Sequence, residues 1–236
     1  MITIATLLWD WNDRSYDFSR VYDESWVEKL YNQCRRNLTI PFQFVCFTDR
    51  TRVFSVPPIQ LQPGMSSNMN RPIHQKLMTG RYRRITYGDC IEPFSLGVPM
   101  ILMGLDTVIL RNIDHLAKWT LDPANLGRIA LPRDPYAIHQ ACNGVVLSPG
   151  NRSDIWNTWH GSNDMAWLRM FPHDFIDDLF PGSVVSYKGY ILGQTGEVMR
   201  KLPDPHSFAG VDICYLHGEP KQHHLLDVPE IAEAWR

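Results

Sequence analysis

Three polar side chains lie next to apolar segments of this chain, and each could bind a charged ligand. Asp106 stands where two apolar runs meet, so it is expected at the end of a buried strand. His217 follows the apolar segment 212–216, and Lys221 comes shortly after it. A carboxylate and an imidazole are suitable ligands for Mn²⁺ or another first-row divalent ion, and a lysine ammonium can bind a diphosphate as a point charge. These residues could therefore form a metal and phosphate site if the fold brings them together.

Each of these residues also has an ordinary structural interpretation. An unpaired buried carboxylate is unfavourable, so Asp106 needs a partner, which can be a backbone cap, an arginine or a metal. A lone histidine often serves as a hydrogen-bonded structural residue, and a lysine in a loop with Gly and Pro is often solvated. His223 and His224 are interpreted as surface residues, because no cysteine or histidine lies at zinc-finger spacing from them.

The first elements that could position these side chains are predicted from residue type and periodicity. The segment 2–9 is rich in β-branched and aromatic residues, which predicts a strand. Apolar residues at every fourth position then predict a helix that runs to about Asn37, with Ser25 at the start of a capping box. The segment 42–47 predicts a second strand. Together these three elements predict a parallel βαβ unit.

The later elements are predicted to alternate less regularly. Further strands are predicted over 53–61, 100–110, 129–132, 142–147, 184–187 and 212–216, and further helices over 153–159 and 164–171. The segment 73–82 predicts a short helix that carries His74 and Lys76. This order of elements predicts an α/β fold with a mixed sheet.

Composition restricts the classes of function. A chain of 236 residues that is 44% hydrophobic can form a single domain of the larger α/β kind. The net charge of −2 gives no support for binding to nucleic acid or to an anionic membrane. The sequence lacks an apolar run of about 18 residues, so no transmembrane segment is expected. Five scattered cysteines are typical of free thiols in a reducing compartment, which predicts a cytoplasmic protein.

Common catalytic motifs are missing from the sequence. It contains no Gly-x-Ser-x-Gly, which disfavours a serine hydrolase. It contains neither Gly-x-Gly-x-x-Gly nor a Walker-type loop, which disfavours dehydrogenases and kinases. A nucleotidyltransferase is expected to carry a Gly-rich basic loop after the first strand, and Leu8 to Asp13 has none.

Read in chain order, these features resemble the GT-A-fold glycosyltransferases, in particular the glycogenin-like and lipopolysaccharide galactosyltransferase-like families with their bacterial and phage relatives. Gly104-Leu105-Asp106-Thr107 is similar to the Asp-x-Asp segment of these families. Cys142-Asn143-Gly144-Val145 is similar to their Asn-x-Gly-Val strand, and His217-Gly218-Glu219-Pro220-Lys221 to their terminal His-x-x-Gly-x-x-Lys-Pro loop.

The resemblance covers nearly the whole chain and implies a fold, an activity and partners. The implied fold is a GT-A-like (Rossmann-like) single domain over residues 1–236, with a mostly parallel central sheet flanked by helices. Its nucleotide-binding half would be roughly 1–115 and its acceptor half roughly 116–236. The implied activity is sugar transfer from a UDP-sugar, with Mn²⁺ or Mg²⁺ at the diphosphate and retention of anomeric configuration. The acceptor would be a glycan, a lipid-linked molecule or a protein.

Site residues follow from the same resemblance, position by position. The matching residues are Asp106, Asn143 and Asp164 for catalysis, Trp9, Asp49, Lys76, Asp106 and Lys221 for donor binding, and Asp106 and His217 for the metal. Gly104 departs from the family pattern, because the first Asp of the Asp-x-Asp segment is missing. This departure leaves open a second interpretation, in which a catalytically degenerate GT-A domain binds a nucleotide or a glycan without turnover.

Overall fold

A computed structural model of the chain describes residues 1–10, 20–48, 50–55, 59–63, 73–76, 82–85, 89–160, 163–193 and 207–236. Its strands are β1 (Ile2–Leu8), β2 (Phe42–Thr48), β3 (Ile59–Pro63), β4 (Ile73–Lys76), β5 (Tyr82–Ile85), β6 (Pro99–Met103), β7 (Thr107–Ile109), β8 (Ile129–Leu131), β9 (Arg133–Asp134), β10 (Ala137–Ala141), β11 (Val145–Pro149), β12 (His173–Phe175), β13 (Val184–Ser186) and β14 (Ile213–Tyr215). Its α-helices are α1 (Glu24–Asn37), α2 (Asp114–Leu121), α3 (Ser153–Asn157), α4 (Asp164–Leu168), α5 (Ile176–Leu179) and α6 (Pro229–Ala234). None of the helices in these ranges is long and apolar enough to span a bilayer.

The central sheet has seven strands in the order β12-β8-β11-β6-β1-β2-β3. Strand β1 pairs in parallel with β2 and with β6, and β2 pairs in parallel with β3. Strand β11 is antiparallel to both of its neighbours, β6 and β8. The predicted mixed, mostly parallel sheet and the predicted parallel β1–α1–β2 unit are therefore confirmed.

The two faces of the sheet are covered by different layers. Successive residues of a strand point to opposite faces, so Ile4 and Leu8 pack with α1 and α2 while Leu7 packs on the other side. That second face is covered by a 3₁₀-helix, Asp89–Leu96, and by residues of α3 and α4. Burial of both faces explains why β1 and β6 are apolar along nearly their whole length.

A smaller sheet lies beyond the central one and has the order β13-β14-β7. Strand β14 is antiparallel to β7 and parallel to β13. This sheet and α6 share a third apolar cluster, which includes Val108, Cys214 and Ile231. The pairing of β7 with β14 joins the middle of the chain to its last part.

The predicted helix over 73–82 is wrong. The described parts of this segment form β4 and the start of β5, which pair as antiparallel strands with His74 opposite Arg84. A short helix in water is marginal without tertiary packing, whereas residues such as Ile73 and Tyr82 favour paired strands. Backbone pairing between the two short strands therefore replaces the helix.

Helix α1 forms where predicted, but its capping residue differs. Asp23, not Ser25, accepts the hydrogen bond from the backbone of the first turn, with 2.9 Å between Ser25 N and Asp23 Oδ1. Aspartate and serine are both favoured at this position. The helix therefore begins a residue earlier than Ser25, at Glu24, and its predicted end at Asn37 is confirmed.

Candidate active site

The pairing of β7 with β14 positions Asp106 next to His217. Strand β6 ends at Met103, and the chain turns at Asp106 before β7 begins. Tyr215 is the register partner of Thr107, and the Leu216 amide donates a 2.7 Å hydrogen bond to the Asp106 carbonyl. The predicted strand over 100–110 is thus two strands separated at Asp106.

A cavity of about 670 Å³ opens at the ends of β1, β6 and β14. Ligands of open α/β sheets bind at the carboxyl ends of the strands, and β1 and β6 contribute these ends here. The cavity contains Trp9, Asp106, Asn143, Asp164, His217 and Lys221, all predicted as site residues. Of the remaining predicted residues, Asp49 lies outside the described residues and Lys76 is described only as part of β4.

Asp106 is held by two protein donors. The Lys221 ammonium lies 2.8 Å from Asp106 Oδ2, and the side chain of Lys221 is only 4% exposed. The Tyr22 hydroxyl also donates a hydrogen bond to the Asp106 carboxylate. Burial raises the pKa of Tyr22, and the charge of Asp106 adds to this effect, so the phenol stays neutral and remains a donor. Asp106 was expected to have a partner, and it has two, Lys221 and Tyr22.

Gly104 leaves room for this arrangement. A Cβ atom built on Gly104 would stand 2.6 Å from Asp106 Oδ1. The carboxylate of Asp106 therefore occupies the space that a side chain at position 104 would need. Gln222 stabilises the turn that carries Asp106, because its side-chain amide donates a 3.0 Å hydrogen bond to the Leu105 carbonyl.

Both ring nitrogens of His217 have hydroxyl neighbours. Nδ1 lies 3.3 Å from Ser186 Oγ, and Nε2 lies 3.1 Å from Tyr136 Oη. Burial lowers the pKa of His217, and the nearby charge of Lys188 lowers it further. The ring is therefore neutral at pH 7, with one nitrogen donating and one accepting.

The described residues do not fit a metal ion held by protein side chains. The two predicted ligands are Asp106, which is paired with a lysine, and His217, whose ring nitrogens both have partners. Position 104, a neighbour of the turn at Asp106 that could have carried a further carboxylate, is glycine. Within the described ranges no group of three His, Cys, Asp or Glu side chains is close enough to hold a metal. The two residues predicted to bind Mn²⁺ or Mg²⁺ therefore both lie in the cavity, but the described residues do not form a complete set of metal ligands around them.

A buried carboxylate and an amide form another part of the cavity wall. Asn143 Nδ2 donates a 2.8 Å hydrogen bond to Asp164 Oδ2, and the Met165 amide donates one of 2.8 Å to Asp164 Oδ1. Cys90 donates a further hydrogen bond to this carboxylate. Burial raises the pKa of Asp164 despite these bonds. An amide and a carboxylate held side by side can bind neighbouring hydroxyl groups of a sugar.

Several residues around the cavity were missed from the sequence. Tyr22, Tyr136 and Ser186 contact the predicted residues, and each lies in a segment that carries no motif. Lys188 was missed because it follows β13 without any pattern of its own. The one available signal was the Asp134-Pro135 turn, which brings Tyr136 to His217.

Comparison with known proteins gives matches among solved structures. No protein-family model matches the chain, and no curated protein matches it in sequence. An active-site mutant of LgtC superposes with a TM-score of 0.61 at 10% identity, covering 99% of this chain and 93% of LgtC. The galactosyltransferase LgtC, solved with donor and acceptor sugar analogues, gives 0.58 at 9% identity, over 99% and 95% of the two chains.

Two further structures extend the comparison. The bifunctional glycosyltransferase WbbM gives a TM-score of 0.61 at 12% identity, covering 99% of this chain and 49% of that one. The glycosyltransferase GlyE of Streptococcus pneumoniae TIGR4 gives 0.55 at 11% identity, over 99% and 58%. The chain has a GT-A-like fold. The GT-A-like α/β architecture inferred from motif order is therefore confirmed over nearly the whole chain, at an identity that supports the fold alone.

Proposed function

We propose that this GT-A-like chain is a glycosyltransferase that moves a sugar from a nucleotide sugar to an acceptor. The observation that carries the proposal is the cavity, because it joins a lysine, a buried carboxylate–amide pair and Trp9 at the strand ends of this fold. The lysine is suited to the diphosphate, and Asp164 with Asn143 is suited to the sugar. Trp9 provides an apolar ring that could stack on a base.

The finer features of the reaction follow from the resemblance. The proposed donor is a UDP-sugar, and the proposed acceptor is a glycan, a lipid-linked molecule or a protein. The bond between the anomeric carbon and the phosphate oxygen breaks, and its electron pair remains on the phosphate. The acceptor oxygen bonds to the same carbon with retention of configuration, and its proton passes to the released phosphate.

The proposed division of labour treats the chain as one domain with two halves. The cavity is lined by Trp9 and Asp106 from the nucleotide-binding half, residues 1–115. It is also lined by Asn143 and Lys221 from the acceptor half, residues 116–236. Contributions from both halves support a single shared site. No disulfide joins the described cysteines, which supports the cytoplasm as the proposed compartment.

The proposal is tested by donor turnover. We expect the chain to release a nucleoside diphosphate from at least one member of a panel of UDP-, GDP-, ADP- and TDP-sugars. Replacement of Asp164 by Asn should reduce this rate by about tenfold or more, because misplacement of the sugar reduces the fraction of reactive complexes. Asp227→Asn, an exposed carboxylate outside the cavity, is the matched control and should keep the rate. Lack of turnover with every donor, with and without added glycan acceptors, would refute transferase activity.

A second candidate function is supported by Gly104. A GT-A-like domain without the first carboxylate of the motif could bind a nucleotide or a glycan and not transfer the sugar. In that case calorimetry would detect binding of a nucleotide, but none of the nucleotide sugars in the panel would be cleaved. Turnover that is sensitive to Asp164→Asn would exclude this candidate.

A further inference from the structure

Two lysines lie close to His217 and the loop that carries it. Lys221 Nζ lies 2.8 Å from Asp106 Oδ2 and 3.4 Å from the Leu216 carbonyl. Lys188 Nζ lies 3.2 Å from the position that a Cβ atom on Gly218 would occupy, so it contacts a residue of the same loop that lines the cavity. Both ammonium charges act to lower the pKa of His217, as expected for groups close to its ring. The loop Leu216–Gly218 is therefore contacted by two cations.

The two lysines differ in how their charges are balanced. Lys221 is paired with Asp106, which holds its ammonium in place at the cavity wall. Lys188 is half-buried, and no ion pair within the described part of the chain involves it. Of the carboxylates near this loop, Asp106 is paired with Lys221 and Asp134 with Arg169, while Glu219 contacts His224. Lys188 is therefore a cation beside the loop that no described carboxylate balances, and its charge can attract an anion.

We propose that Lys188 and Lys221 bind the diphosphate of the donor directly, so that sugar transfer requires no divalent metal. This inference rests on the proposed function, because the diphosphate belongs to the nucleotide sugar. When the bond from the anomeric carbon to phosphate breaks, negative charge grows on the departing phosphate oxygens. Two ammonium groups next to these oxygens stabilise this charge electrostatically. Here they supply the charge neutralisation that a bridging divalent ion would otherwise provide.

Asp106 then has a role that differs from metal ligation. Its carboxylate fills the space above Gly104 and orients Lys221 through the 2.8 Å contact. Asp106 is therefore a positioning residue that acts through Lys221. Its own negative charge opposes the diphosphate, so removal of this charge should not weaken binding of the anion in the absence of metal.

The decisive experiment is calorimetric titration of the full chain with UDP, GDP, ADP and TDP. One series contains EDTA and the other contains MnCl₂. We expect at least one nucleotide to bind in EDTA with a dissociation constant within about threefold of that in Mn²⁺, a difference of less than 1 kcal/mol. Binding that occurs only with Mn²⁺ would overturn the inference and leave the proposed function intact. No binding in either series would overturn both.

Variants show whether the lysines carry the binding. Lys188→Met should weaken the EDTA-resistant binding by about tenfold, as expected for loss of one charge-assisted contact, and Lys188→Arg should recover part of it. Lys118→Met, on the exposed face of α2, is the matched control and should bind like the wild type. Because Lys188 is half-buried and outside the apolar cores, its replacement is expected to leave the melting temperature unchanged. Unchanged nucleotide affinity in Lys188→Met would overturn its assignment.

Asp106→Asn separates the two roles of the carboxylate. As a positioning residue, Asp106 can be replaced by the isosteric amide with binding in EDTA retained within about threefold or strengthened. As a metal ligand, the same change would abolish a Mn²⁺-dependent gain in affinity. A Mn²⁺-dependent gain in the wild type that disappears in Asp106→Asn would contradict the proposed role.

Discussion

At the scale of single residues, the charged side chains of the candidate site have hydrogen-bond or ion-pair partners within the protein. Asp106 was expected to need a partner, and this expectation is confirmed by Lys221 and Tyr22. The identity of the partner could not be read from the sequence, because Tyr22 lies beside a loop without a motif. The predicted roles of Asn143 and Asp164 remain proposals, supported by their contact in the cavity wall.

Glu92 is a buried carboxylate that the proposed reaction does not use. It lies in the 3₁₀-helix Asp89–Leu96 and is 2% exposed, and its Oε2 has no hydrogen-bond partner among the described residues. Burial raises the pKa of Glu92 from 4.5 to about 7. Between these two values the folded chain holds a proton that the unfolded chain releases, so the stability contributed by this group is lost as pH rises.

We therefore expect the stability of the Glu92→Gln variant, relative to the wild type, to increase as pH rises. Its free energy of unfolding relative to wild type should rise by about 3 kcal/mol between pH 4.5 and pH 8, since one pKa unit is worth about 1.4 kcal/mol. Urea denaturation of both proteins at several pH values measures this difference. If the wild-type and variant stabilities change in parallel over this range, Glu92 does not carry the raised pKa.

At the scale of elements, Gly144 packs closely against Tyr215 at the end of β14. A Cβ atom on Gly144 would lie 2.6 Å from the ring of Tyr215. Tyr215 is 5% exposed, so its ring has little freedom to move away. The glycine that follows Asn143 is therefore required by close packing against the last strand.

Gly144→Ala is expected to destabilise the protein by about 1–3 kcal/mol, the usual effect of overpacking a buried contact. The same substitution in a Tyr215→Leu background should have a smaller effect, because the smaller side chain leaves room for the methyl group. Chemical denaturation of the four proteins gives the coupling energy. An equal effect of Gly144→Ala in both backgrounds would show that the ring contact is not the cause.

Predictions from the sequence succeeded where local periodicity and burial agree. Strand β1 was predicted from its β-branched and aromatic residues, helix α1 from apolar residues at every fourth position, and the place of Asp106 at a strand end from the apolar runs beside it. The segment 73–82 was wrongly predicted because its two short strands form by pairing with each other. Strands of four residues are too short to show a clear periodicity of apolar residues in the sequence. Asp106 and His217 were paired because each follows an apolar strand segment, but whether the fold brings them together depends on the pairing of β7 with β14, which no local pattern shows.

At the scale of the whole molecule, the last residues of the chain pack against the first helix. The ring of Trp235 lies 4.8 Å from that of Trp26, and the ammonium of Lys29 lies 3.8 Å from the centre of the Trp235 ring. The Lys29 ammonium also donates a hydrogen bond to the Trp235 carbonyl. The segment that carries Lys221 is therefore held on one side by β14 and on the other by α1.

Trp235→Ala should reduce the free energy of unfolding by about 3 kcal/mol, the usual result of deleting a large buried aromatic side chain. Thermal and urea denaturation measure the change. Leu226→Ala, at a side chain that is 56% exposed, is the control and should alter stability by less than about 0.5 kcal/mol. A comparable loss in both variants would argue against a specific anchoring role for Trp235.

The contact between Asp106 and Lys221 also bears on the order in which the molecule is made. These residues are 115 positions apart in the chain. Strand β7 can pair with β14 only after β14 has been synthesised. Contacts of such high sequence separation form slowly, and a ribosome delivers the N-terminal part first. The central sheet can thus assemble on a nascent chain while the cavity is still open on one side. The cavity should therefore be completed only after residues 213–221 have left the ribosome.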